Sequence, residues 1–112
     1  LQKKIREIYY QQKIIIIGGD KEWRRRFRIK YPEIRMLNGF NENFDIRILN
    51  TADYIFFYTQ YMNHSTFHRA MDFIKLNKCK FGYIGKTNID LVEGEIIEKI
   101  VTCEGNHEES TY

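Results

Sequence analysis

The residue types able to do chemistry gather in four short stretches. Gly18-Gly19-Asp20 follows four consecutive isoleucines, Asn38-Gly39 follows Met36-Leu37, Asn63-His64-Ser65 comes soon after the aromatic run Tyr54–Tyr58, and Gly85-Lys86 follows residues 81–84. Glycines ahead of a helix offer backbone N–H groups and the positive end of a dipole, an arrangement that suits a phosphate or another anion. A histidine at a helix start is kept neutral by the same dipole and can accept a proton. Asp20 and His64, with a hydroxyl from Ser65 or Thr66, would begin a hydrolytic set aimed at a phosphoester. No second carboxylate joins them, so a phosphoester hydrolase ranks below plain binding.

Each feature also has a structural reading. Two glycines allow a positive φ and close strand-to-helix packing. The stretch is neither GxGxxG nor GxxxxGK[ST], Trp23 stands where a dinucleotide needs a small residue, and Asp20 repels phosphate. His64 can serve as a helix-capping or structural hydrogen-bonding group, and His68, one turn on, reads as a solvated or packing residue rather than as a second metal ligand paired with His64 at i, i+4. The polar turns together favour an anionic small molecule of phosphate or nucleotide type, with Gly18, Gly19, Asp20, Gly39, Asn63, His64, Ser65 and Lys86 as candidate residues. No catalytic residue, metal ligand or cofactor is assigned.

The alternative partner is nucleic acid. Residues 21–30 hold six basic side chains against Glu22 alone. With Trp23 and Phe27 turned to the sheet, Lys21, Arg24, Arg25 and Arg28 lie outward and could follow a phosphate backbone. A charged outer helix is also the ordinary means by which an α/β domain stays soluble, and no aromatic or amide groups interleave to read bases.

The elements that must position these residues follow from length and pattern. At 112 residues, 43% apolar and 29% charged, the chain is long enough for one modest core. No apolar run reaches the roughly 18 residues of a membrane span and no secretory pattern opens the chain, so a cytoplasmic protein without membrane contact is expected. Cys79 and Cys103 lack metal-ligand spacing and read as reduced thiols. Ile14 to Ile17 make a β-branched run suited to a strand buried on both faces. Asp20 is placed to cap a helix over 21–30 that stops before Pro32. Strands are expected over 33–37, 53–58 and 79–85, and helices over 41–51, 62–78 and 88–101. Phe44 and Ile48, with Leu49 as a further candidate, should face inward from the first of these helices, and Phe67, Ala70, Met71 and Ile74 from the second.

Four β-α repeats mean a parallel sheet with right-handed crossovers. For so short a chain the expected fold is a small Rossmann- or flavodoxin-like three-layer α/β sandwich, strand order 2-1-3-4. Ligands then lie beyond the carboxyl ends of strands one and three, where all four polar turns converge.

These stretches carry a resemblance. IIIIGGD (14–20), the glycine of LNGF (37–40) and ADYIFFYTQYMNHSTF (52–67) make residues 13–100 similar to the bacterial domain-of-unknown-function family 2325. Gly18, Gly19, Gly39 and His64 match its motifs, and Asn63 stands where the family usually has serine. The resemblance implies a Rossmann-like module at the C-terminal end of a chain with a helical upstream part, and no reaction. The spacing of Leu1, Ile5, Ile8 and Gln12 agrees, predicting over 1–12 the end of an upstream coiled coil that would make a homodimer. Residues 13–101 form the domain, and 102–112 read as a flexible tail.

Overall fold

A computed structural model of the chain describes residues 12–41 and 43–109, with side chains through Cys103. The helix expected over 1–12, with the dimer it would support, lies outside the described residues but for Gln12. So do residues 110–112.

Strands β1 (Ile14–Gly18), β2 (Arg35–Leu37), β3 (Tyr54–Tyr58) and β4 (Lys80–Tyr83) form one parallel sheet in the order β2-β1-β3-β4. Helix α1 (Lys21–Lys30) joins β1 to β2, α2 (His64–Asn77) joins β3 to β4, and α3 (Ile89–Glu109) follows β4. Every residue of β1 and of β3 is buried. Side chains alternate across a strand, so each strand feeds two cores. Ile14, Ile16, Tyr54, Phe56 and Tyr58 meet Trp23, Phe27 and Tyr31 from the α1 side and Val92, Ile96 and Ile100 of α3. Ile15, Ile17, Ile55 and Phe57 meet Leu49 and the α2 residues Ala70, Met71 and Ile74. Each such side chain withdrawn from water is worth about 1.5–3 kcal/mol, which is why these strands hold the centre of the sheet. Among the described residues no helix is long and apolar enough to cross a membrane.

The segment over 41–51 departs from expectation. It forms a loop and a 3-10 helix (Ile46–Thr51) in place of an α-helix. The cause is local: Asn38 accepts from the Phe40 N–H, Asn41 from the Asn43 N–H and Asp45 from the Arg47 N–H, so short side chains capture amides that an α-helix would need. Leu49 is still fully buried, and Phe44 and Ile48 pack against the same core. Arg69 of α2 fastens this segment, donating to the Phe44 carbonyl at 2.8 Å with its guanidinium 5.1 Å from the Phe44 ring. At the other end of the chain, α3 runs past Val101 to Glu109, into the stretch that the sequence reads as a tail. No proline interrupts it there.

One charge is buried between helices. Glu93 of α3, 1% exposed, pairs with Lys30 at the end of α1 at 2.6 Å, and Asp90 adds a second carboxylate at 3.0 Å. The hydrogen bond to Glu93, with Asp90 assisting, holds the Lys30 ammonium above its ordinary range despite partial burial. A raised lysine stabilises fully below its unfolded value, so the contribution is present at neutral pH and is lost only as pH rises beyond about 10.5. Lys30→Met, which strands the Glu93 carboxylate, should cost about 3–5 kcal/mol in urea denaturation, and Lys30→Met with Glu93→Leu should recover most of it. Equal losses in the single and double variants would contradict the pairing.

Candidate functional site

The turns after β1, β2, β3 and β4 meet at the carboxyl edge of the sheet, but they do different work. The glycine corner is closed by packing. Gly18 has φ +107°, and a β-carbon there would lie 2.5 Å from the Tyr58 carbonyl oxygen. Gly19 has φ +87°, and its β-carbon would lie 2.6 Å from the Trp23 ring. Both therefore need glycine for backbone conformation and for close approach. Asp20 caps α1, its Oδ1 accepting from the Trp23 N–H at 2.7 Å. The negative carboxylate thus occupies the helix end that a phosphate would need. Trp23 is buried edge-on against Tyr58 at 4.7 Å and donates its Nε1–H to the Thr87 carbonyl at 2.8 Å, while the Tyr58 hydroxyl meets Thr87 Oγ1 at 3.3 Å. The same corner fixes the loop after β4, where the Glu95 carboxylate accepts from the N–H groups of Gly85 and Lys86.

Gly39 belongs to a second group. A β-carbon on it would lie 2.3 Å from Cβ of Met62, and its carbonyl accepts from the Asn63 N–H at 3.0 Å. It thereby presses the turn after β2 onto the start of α2. Asn63 caps that helix, accepting from the Thr66 N–H at 2.8 Å. The N–H groups of His64 and Ser65, first in the helix, have no intrahelical acceptor by geometry. Both side chains are exposed.

Beside this helix start lies a cavity of about 380 Å³ lined by Thr59, Met62, Asn63, His64, Phe67 and His68. Its apolar wall belongs to a ladder of rings: Phe57 and Phe67 at 5.2 Å, Phe67 and Tyr83 at 6.5 Å, Phe67 and His68 at 5.6 Å, His68 and His64 at 6.2 Å. Tyr83 is 53% exposed at the end of β4, so the ladder reaches solvent. Of the eight anion-site candidates, Asn63 and His64 line this cavity; Gly18, Gly19, Asp20, Gly39, Ser65 and Lys86 do not. Among the described residues no hydrogen bond or ion pair joins Asp20 to His64. The sequence reading missed Thr59, Met62, Phe67 and His68 as wall residues; helical periodicity alone assigns Phe67 to the core.

The basic helix is partly self-satisfied. Arg24 donates its Nε–H to the Gly19 carbonyl at 3.1 Å. Arg25 pairs with Glu22, and the hydrogen bond between them holds the Glu22 carboxyl below its ordinary range. Lys21 and Arg28 are exposed, with no acidic partner among the described residues.

No family model, curated protein or solved structure matches the chain. The resemblance drawn above therefore rests on the quoted motifs alone.

If the glycine corner is structural, Gly19→Ala should lower stability by about 1–3 kcal/mol through its strained φ and the Trp23 clash. Asp20→Ala should cost about 1 kcal/mol through the lost cap. Urea denaturation of the two variants reads both, and a neutral Gly19→Ala would contradict the packing argument.

Proposed function

We propose that this chain is a small Rossmann- or flavodoxin-like ligand-binding module that takes an anionic small molecule of nucleotide type at the start of α2, without catalysing a reaction. The observation that carries the reading is the cavity of about 380 Å³ lined by Thr59, Met62, Asn63, His64, Phe67 and His68. It combines an apolar ring wall, imidazoles at the mouth, and the free N–H groups of a helix start. A planar base suits the wall, and a phosphate suits the helix end. The location is the carboxyl edge beside β3, next to the switch point between β1 and β3 where open parallel sheets bind ligands. A regulatory use, with binding relayed to an upstream helical part, agrees with the resemblance to domain-of-unknown-function family 2325.

A second reading is supported by the exposure of Lys21 and Arg28 on the outside of α1. On it, the helix contacts a nucleic-acid backbone, with binding that weakens steeply as salt rises.

A thermal-shift panel of inorganic phosphate, nucleoside mono-, di- and triphosphates and short oligonucleotides separates the two. A ligand at a hundred times its dissociation constant adds about 2.7 kcal/mol, enough to move the melting point by several degrees. A nucleotide shift abolished by His64→Ala and retained in Lys21→Glu with Arg28→Glu is the expected result. A shift that survives His64→Ala and His68→Ala overturns the cavity. A response to oligonucleotides alone, lost in the charge-reversed pair, hands the function to α1.

A further inference from the structure

His64 and His68 stand one turn apart on the exposed side of α2, their ring planes 21° from parallel and their centroids 6.2 Å apart. Two histidines at i and i+4 share a helix face and can reach one ion, the arrangement used by helical zinc sites. Among the described residues neither imidazole has a hydrogen bond or an ion pair, so none has to be broken for it to coordinate. Both rings line the same cavity. The His68 and Phe67 rings meet edge to face with centroids 5.6 Å apart, which limits the volume that the His68 ring can sweep.

We infer that His64 and His68 form an open, two-imidazole site for a divalent transition-metal ion of the zinc class at the mouth of the α2 cavity. Zinc bonds imidazole nitrogen at about 2.0–2.1 Å, so a shared ion needs the two donor nitrogens within roughly 3–4 Å of each other. Both rings are solvent-exposed, so the site requires side-chain rotation to bring the two donor nitrogens to that separation. Imidazole donors select zinc, copper or nickel over magnesium and calcium, which take oxygen ligands. Among the described residues no third histidine, cysteine or carboxylate completes the set, so at least two positions of a tetrahedral ion are left for water or for oxygens of an anion. The dipole at the start of α2 opposes a cation only weakly at an exposed position. The site goes beyond the nucleotide reading and does not depend on it, because the ion needs nothing but the two side chains.

The test is a titration of the whole chain with zinc ion alone, following the imidazole nitrogen resonances by NMR. His64 and His68 should shift together on one isotherm that saturates at one ion, and magnesium should move neither. His64→Ala or His68→Ala should weaken the response of the remaining ring about tenfold or more, a loss of about 1.4 kcal/mol per decade. His68→Ala with Arg69→His, which carries the imidazole off the shared face, should not restore it. Independent isotherms for the two rings, a remaining ring unaffected by loss of its neighbour, or zinc taken up solely by His107 or the thiols of Cys79 and Cys103 would each overturn the site. Zinc binding with no nucleotide shift would leave this inference standing and remove the nucleotide reading; the converse would do the reverse.

Discussion

Complete burial of β1 and β3 on both faces is the constraint on which the other elements depend. A parallel strand with apolar side chains on each side cannot face water, so helices must cover both faces and every crossover must return over the sheet. The isoleucine run of β1 meets this demand by alternation. Ile14 and Ile16 serve one core, and Ile15 and Ile17 the other. Once β1 and β3 lie side by side with β2 and β4 outside them, the turns that follow all four strands are brought to one edge. The location of a site is thus a consequence of burying the sheet.

At that edge, close packing and open space separate along the chain. The glycine corner is filled from within, by the Trp23 ring against Gly19, the Tyr58 carbonyl against Gly18 and the Asp20 carboxylate on the helix end. Its hydrogen bonds to Thr87 lock the loop after β4 as well. Space opens on the α2 side, where the short 3-10 turn Thr59–Tyr61 carries the chain away from the sheet before Asn63 starts the helix. Gly39 presses against Met62 and sets the entry of that helix. The polar groups left over at this second place are backbone N–H groups and imidazoles, which favour an anion and, through the imidazoles, a metal.

Much of this was legible in the residues. β-branched and aromatic runs marked β1 and β3, Asp20 and Pro32 bounded α1, and Phe67, Ala70, Met71 and Ile74 marked α2, because burial imposes period 2 on strands and 3.6 on helices. The stretch 41–51 was not legible as a loop. Its apolar spacing is helical, and the outcome turned on Asn38, Asn41 and Asp45 capturing nearby amides, a local competition that periodicity does not register. Within the site, Asn63 and His64 could be singled out by type and position. The cavity itself could not, since two of its wall residues, Met62 and Phe67, are placed against Gly39 and Tyr83, residues far from them in sequence.

The most direct measurement is a backbone-amide NMR titration of the chain with a nucleoside triphosphate in the presence of a chelator. The resonances expected to move first and furthest belong to Thr59, His64, Ser65 and Phe67 around the start of α2, with Gly18, Gly19 and Trp23 left in place. Perturbation centred on the Gly18-Gly19-Asp20 corner, with the α2 amides unmoved, would contradict this and return the site to the turn that packing closes.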